Sequence, residues 1–354
     1  MSHYQGIIDR YRAFLPIEKN DSIITLYEGN TPLHESHNLR LAINPELNIF
    51  LKFEGLNPTG SFKDRGMTMA VTQAYNAGSR KIICASTGNT SASAAAYAAN
   101  CGMIAYVLIP EGKIALGKMS QAMRYGAKII QIRGNFDQAL SMVCDIAKEE
   151  SDISLVNSVN PFRIQGQKTA SYEIIDELGF APDYHALPVG NAGNITAYWL
   201  GYQEYFEKRI SQSLPKMLGF QASGSAPIVR GHVVKNPETI ATAIRIGNPA
   251  SWKQAEAARD TSGGVINEVT DAEIMQAYDM LASLEGVFCE PASAASVAGI
   301  IKLNAQGYFA AGANIVCTLT GNGLKDPDSA MQSIATPITV DAEMDAVRRA
   351  LEGK

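Results

Sequence analysis

No stretch of this 354-residue chain concentrates lysine and arginine, and its net charge is −5 with a pI near 5.6. A nucleic-acid binder, which needs a basic footprint, is therefore excluded. The five cysteines are scattered at 84, 101, 144, 289 and 317, with no C-x-x-C pair and no Cys/His cluster. That usage argues against a disulfide framework or a structural zinc and suits free thiols in a reducing cytoplasm. No charged-then-apolar stretch opens the sequence at Met1-Ser2-His3-Tyr4-Gln5-Gly6, so no secretory signal is expected. Low-complexity tracts and strong internal repeats are also missing.

One run lacks charge altogether, from after Lys81 to before Glu111, and its length could suggest a membrane span. It is interrupted by Ser86-Thr87-Gly88-Asn89-Thr90-Ser91 and by Asn100-Cys101-Gly102. A strand, a polar loop, an Ala-rich helix and a second strand account for it better, because buried parallel strands read as apolar runs.

What is present is enough length for a large core and two lobes. Strands are expected at Asn48–Phe53, Lys81–Ala85, Ile104–Ile109, Lys128–Ile132, Ile153–Val156, Tyr184–Val189, Lys216–Gln221, Gly264–Val269 and Asn314–Thr318. Helices are expected between them, including Tyr4–Phe14, Ser91–Asn100, Phe136–Glu149, Pro161–Leu178, Ile195–Phe206, Thr239–Ile246 and Pro291–Gln306. Another is capped by Thr270 with Glu273 three residues on. Regular strand-helix alternation means an α/β fold with parallel-rich sheets flanked by helices.

The stretch Gly55-Leu56-Asn57-Pro58-Thr59-Gly60-Ser61-Phe62-Lys63-Asp64-Arg65-Gly66 delivers one lysine to a helix start. Asn-Pro and Thr-Gly are turn chemistry. Ser61 and Asp64 have the spacing of a capping box, with Asp in place of Glu. The first turn of a helix favours anions, so a lysine there tends to lose its proton, and a neutral amine is a nucleophile. Taken alone, this stretch does not overturn the ordinary reading of Lys63 as a solvated surface lysine.

Three strands run into Gly-Asn loops, at Gly88-Asn89, Gly190-Asn191 and Gly321-Asn322. Ligands of open α/β sheets bind outside the carboxyl ends of strands, so these loops could surround one ligand. Gly190-Asn191-Ala192-Gly193-Asn194 opens a helix and can cup a phosphate with backbone N–H groups, without the Lys and Ser/Thr of a nucleotide loop. Ser86, Thr87 and Thr90 bring hydroxyls suited to a carboxylate, and Asn157, Ser158 and Arg163 form a second candidate anion site. Each loop, met singly, is also an ordinary capped turn. His34-x-x-His37 has no third ligand and reads as surface; His185 reads as core. Glu290, before Pro291, reads mainly as a helix-start carboxylate.

Taken as a set, these residues can be matched to a family. Asn57-Pro58-Thr59-Gly60-Ser61-Phe62-Lys63-Asp64-Arg65-Gly66-Met67 closely resembles the lysine motif of the threonine synthase family of pyridoxal-phosphate (PLP) enzymes. The Ser-Thr-Gly-Asn-Thr, Gly-Asn-Ala-Gly-Asn and Thr-Leu-Thr-Gly-Asn-Gly loops follow in that family's order, from about Thr31 to Asp326. The resemblance implies the two-lobed fold type II architecture, similar to tryptophan synthase β. It implies pyridoxal 5'-phosphate held by Lys63 as a Schiff base and by Asn89 at its phenolic oxygen. Gly190, Asn191, Ala192, Gly193 and Asn194 would cup its phosphate, and Thr320 would face its ring nitrogen. Ser86, Thr87 and Thr90 would take the substrate carboxylate, and Asn157, Ser158 and Arg163 the substrate's own phosphate.

The implied reaction converts O-phospho-L-homoserine and water to L-threonine and phosphate by γ-elimination and β-hydration, a lyase activity of threonine biosynthesis. The resemblance also suggests a homodimer, and the charge, the interrupted apolar run and the missing third ligand at His34 and His37 lead to an expectation of no nucleic-acid, membrane or metal partner. The expected division is a large PLP-binding domain, 1–64 with 156–354, and a small mobile domain, 65–155, carrying the carboxylate loop. A threonine or serine dehydratase on the same fold is the nearest alternative. A non-catalytic phosphate- or nucleotide-binding protein is the alternative from another class.

Overall fold

The computed structural model describes residues 3–112, 116–331 and 337–352. Among these residues, ten strands are arranged in two sheets. They are β1 (Leu33–Glu35), β2 (Asn48–Phe53), β3 (Lys81–Ala85), β4 (Ile104–Pro110), β5 (Lys128–Ile132), β6 (Ile153–Leu155), β7 (Tyr184–Pro188), β8 (Lys216–Ala222), β9 (Val265–Val269) and β10 (Asn314–Leu319). The larger sheet has the order β1-β2-β10-β7-β8-β9, and the smaller has the order β5-β4-β3-β6. Among the strands of the described residues, only the β1–β2 pair is antiparallel and every other strand pairing is parallel.

Parallel strands need long crossovers, and helices supply them, so both faces of each sheet become buried. The sequence of β10 displays this. Ile315, Cys317 and Leu319 enter one apolar cluster with the helices Asp271–Glu285 and Pro291–Ala305. Val316 enters the opposite one, with Thr169–Leu178 and Gly193–Glu207. The small sheet repeats the pattern: Ile82 and Cys84 point to one cluster, Ile83 and Ala85 to the other. The period-2 alternation of strand side chains thus divides continuous apolar runs between two cores.

The uncharged run resolves into β3, the helix Asn89–Asn100 and β4, as expected. Among the described residues no helix is long and apolar enough to cross a membrane. The expected helix Thr239–Ile246 is reduced to a single 3-10 turn, Thr242–Ile244. Asp271 accepts hydrogen bonds from the Thr239 hydroxyl and, at 3.1 Å, from the Ile240 N–H, holding this backbone out of helical pairing. The expected helix Pro161–Leu178 divides into Pro161–Gln167 and Thr169–Leu178. Here the hydroxyls of Thr169 and Ser171 bond back to the carbonyls of Gly166 and Lys168, both at 2.7 Å, loosening the turn between them. At the start of the chain, Tyr4–Phe14 contains only the short helix Ile7–Arg10 and a 3-10 turn.

Candidate active site

The lysine loop leaves the carboxyl end of β2. Gly60, at φ 88°, takes the left-handed turn that brings the chain back beside the loop after β10. There the Phe62 N–H donates to Thr320 O at 3.0 Å and the Asn322 N–H to Gly60 O at 2.9 Å. Lys63 is then the first residue of the helix Lys63–Asn76. The expected Ser61/Asp64 capping box does not form. Asp64 instead accepts from the Thr59 N–H at 2.7 Å and its hydroxyl at 2.6 Å, and from Ser93. Its carboxylate thereby ties the loop to the helix Asn89–Asn100.

Lys63 is half-buried, with its Nζ 4.2 Å from the centroid of the Phe62 ring. Burial, reinforced by the Arg163 cation and opposed by the Glu290 carboxylate, pulls its pKa down to about 7. The amine is therefore poised to be neutral near physiological pH.

After β7, Ala192 sits at φ 65°, a rare conformation for a residue with a side chain, and the helix Gly193–Glu207 begins immediately. Asn191 accepts from the N–H groups of Ala250 and Ser251, at 3.4 and 3.0 Å, so a later segment braces this cup. Among the described residues, both side-chain polar atoms of buried Asn194 lack a partner. A buried amide with nothing to bond marks a place made for a polar ligand.

Asn157 bridges the backbone of Ala85, accepting from its N–H at 2.9 Å and donating to its carbonyl at 3.0 Å. It thereby joins the loops after β3 and β6. Arg163, only 1% exposed, donates from Nη1 to Val156 O at 3.2 Å, while its Nε and Nη2 have no partner among the described residues. Burial lowers its pKa to about 10, which leaves it a cation at neutral pH. Two glycines set its place. A Cβ on Gly166 would lie 1.8 Å from Arg65 O, and one on Gly66 would lie 3.0 Å from Arg163 O. Only glycine lets these two helices touch along their backbones.

All fourteen residues singled out from the sequence line one cavity of about 290 Å³: Lys63, Ser86, Thr87, Asn89, Thr90, Asn157, Ser158, Arg163, Gly190, Asn191, Ala192, Gly193, Asn194 and Thr320. Its wall also contains residues the sequence did not mark, among them Gln167, Ile244, Arg245 and Lys325, together with Glu290. Lys325 donates to Thr59 O at 3.0 Å and to Gln121, linking the lysine loop to the helix Leu116–Arg124. Nothing local in the sequence indicates this, because the partners are far apart in the chain.

Beneath the loop lies a buried polar network. Arg65 binds Glu54 through Nε and Nη2 at 2.7 and 2.8 Å, and Glu173 through Nη1 and Nη2 at 2.9 and 2.6 Å. Lys52 reaches Glu173 at 2.9 Å. Asn57, from the Asn-Pro turn, donates to Glu54 and accepts from the Gly29 N–H. Burial alone would raise the pKa of Glu173; Arg65 and Lys52 instead hold it well below the usual carboxylate range. This network fixes the loop from below.

The weaker sequence candidates fall elsewhere. His34 and His37 are exposed, with His34 beside Glu285, and no metal-binding cluster occurs among the described residues. His185 is core, bonded to Tyr202 and Thr318.

Orphaned Asn194 and Arg163, an amine poised to be neutral and the glycine-bearing helix start at residues 190–194 together fit a phosphorylated aldehyde cofactor with a second anion nearby. Comparison with known proteins agrees. Residues 24–321 match the family described as "Pyridoxal-phosphate dependent enzyme". Threonine synthase from Halalkalibacterium halodurans is 58% identical over 94% of this chain and 93% of its own length. Threonine synthase from Synechocystis sp. is 55% identical over 97% and 89%, and that of Methanocaldococcus jannaschii 51% over 97% and 86%. Among solved structures, maize serine racemase has a TM-score of 0.73 at 22% identity, covering 92% of this chain and 94% of its own. A threonine deaminase from T.th. has a TM-score of 0.70 at 23% identity, covering 94% and 100%. These structures share the two-sheet fold, and the family match spans both sheets and the cavity between their loops: the chain belongs to the pyridoxal-phosphate dependent enzymes.

Proposed function

We propose that this chain acts as a threonine synthase, converting O-phospho-L-homoserine and water to L-threonine and phosphate. The observation that carries this reading is Arg163: a buried cation with two unpaired N–H-bearing nitrogens in the wall that also contains Lys63 and the phosphate cup. A substrate with its own phosphate pairs those donors, and one without it leaves them stranded, which is a strong basis for selection.

Lys63, Asn89, Thr320 and residues 190–194 would hold pyridoxal phosphate. When bound, that group supplies an electron sink for charge developing at the substrate's α-carbon. Lys63, neutral at working pH, takes the proton from Cα. Ser86, Thr87 and Thr90 hold the substrate carboxylate and fix which Cα bond faces the amine. Arg163, with Asn157 and Ser158, binds the phosphate and stabilises its negative charge as the Cγ–O bond breaks. Breaking Cγ–O also takes one proton from Cβ; protons then return to Cγ and Cα, hydroxide from water adds at Cβ, and the remaining proton leaves with the phosphate. Lys63 is the site's proton carrier for these transfers.

Lys63→Ala should abolish release of both threonine and phosphate from O-phospho-L-homoserine, measured by coupled phosphate assay; normal turnover would overturn the reading. The small sheet, formed wholly within residues 81–155, supports a division into a large domain (1–64 with 156–354) and a small mobile one (65–155). Hydrogen exchange with and without substrate tests it: a concerted change across 65–155 is expected. The exposed apolar side chains of Met344, Val347 and Leu351 on the C-terminal helix support a homodimer, to be read by light scattering. Cysteine usage supports a cytoplasmic location.

A further inference from the structure

Glu290 precedes the helix Pro291–Ala305, yet its side chain does not cap that helix. Its backbone N–H donates to Gly321 O at 3.0 Å, and its carboxylate turns into the cavity wall, 4% exposed. There it accepts from Asn89 Nδ2 with both oxygens, at 3.2 and 3.1 Å, and from the Thr320 hydroxyl at 3.3 Å. Gly321 leaves the room for it: a Cβ at that position would lie 2.5 Å from Glu290 Oε1. Burial raises the Glu290 pKa above the usual carboxylate range, and Asp326 adds to the rise; the Asn89 hydrogen bond, Lys325 and Lys63 oppose it and favour the ionised form that accepts from Asn89 and Thr320.

Two residues that face the cofactor in the reading above, Asn89 and Thr320, thus share one anion as their partner. An ionised carboxylate only accepts hydrogen bonds, whereas a primary amide has a donating end and an accepting end. Glu290 therefore selects one orientation of the Asn89 amide, with nitrogen toward the carboxylate and its second N–H free for the cavity. We propose that Glu290 is a positioning residue, orienting Asn89 so that an N–H rather than a carbonyl meets the phenolic oxygen of pyridoxal phosphate. The inference rests on Asn89 contacting that oxygen. Its consequence is electronic: a donor stabilises the oxygen as an anion, and a carbonyl turned toward it would repel it.

Glu290→Gln tests this, because glutamine can donate to Asn89 Oδ1 and permit the reversed amide. The purified apoprotein is titrated with pyridoxal phosphate, and the affinity and absorbance spectrum of the complex are recorded. In Glu290→Gln the affinity should fall about tenfold, the loss of roughly one charge-assisted hydrogen bond. The visible band should decrease in favour of the near-ultraviolet band as the phenolic oxygen becomes protonated. Glu290→Asp, which keeps an acceptor, should restore the visible band. Asn89→Ala alone should produce the same spectral change, and Glu290→Gln in that background should add nothing, the signature of one pathway. If Asn89→Ala leaves spectrum and affinity unchanged, the role given to Asn89 is wrong. If Asn89→Ala changes them but Glu290→Gln does not, or if their effects add, the role given to Glu290 is overturned. A structural role alone would lower the melting temperature of both Glu290 variants without moving the spectrum.

Discussion

Two arginines in this protein are equally buried and oppositely treated. Arg65 and Arg163 are each 1% exposed or less. All three nitrogens of Arg65 are bonded, to Glu54, Glu173, Thr31 and Thr169, and Lys52 completes a charge-balanced group. Among the described residues, Arg163 has one backbone carbonyl and no carboxylate. The first is a finished structure. The second bears a desolvation penalty without internal compensation, a state that folding alone does not favour and that an anionic ligand relieves. The two helices carrying them touch, so the satisfied network is the footing on which the unsatisfied one stands.

The comparison is broken most forcefully at Arg65. Arg65→Met should destabilise the protein by about 3–5 kcal/mol in urea denaturation, because Glu54 and Glu173 are left buried and unpaired. Arg163→Met should leave stability within about 1 kcal/mol or raise it, since an unpaired cation is replaced by an apolar chain of similar length. Its effect should appear in function, as a KM for O-phospho-L-homoserine raised roughly 100-fold, two charge-assisted hydrogen bonds being lost. Equal stability losses in both variants would erase the distinction.

A subtler test uses the charge that Arg163 projects onto Lys63. Cofactor capture by the apoprotein requires the neutral amine, so its rate should rise through about pH 7. In Arg163→Met the midpoint should move up, because a neighbouring cation no longer disfavours the ammonium form. The same shift has a stability sign. Lys63 titrates lower when folded than its ordinary 10.5, so between about 7 and 10.5 the unfolded chain binds more protons. Its contribution therefore makes the apoprotein more stable as pH rises through that window. The smallest effect lies far from both arginines. Thr270→Ala removes a capping box and should lower stability by about 1 kcal/mol, with activity unchanged.

The sequence was most readable where local chemistry and final structure agree. β3, β7 and β10 stand out as apolar runs because both faces of a parallel sheet are buried, and the loops after them stand out through small and hydroxyl residues. Lys63, Arg163 and the Gly190–Asn194 cup were legible for that reason. Residues whose role comes from distant partners were not. Asp64 has cap spacing but is drawn to Thr59 and Ser93. Glu290 looks like any acidic residue before a helix-starting proline, and only the fold brings Asn89 and Thr320 to it. Thr239–Ile246 has a helical pattern until Asp271 claims its donors.

The contact between Gly66 and Gly166 has one more consequence. The proposed proton carrier and the proposed phosphate clamp sit on two helices whose separation is set by main chain pressed against main chain. Side chains can change rotamer to suit a ligand, but this spacing changes only if the two backbones part. Under the proposed function the pair would act as a gauge of length, measuring how far a substrate's phosphate lies from its reacting carbon before any chemistry begins.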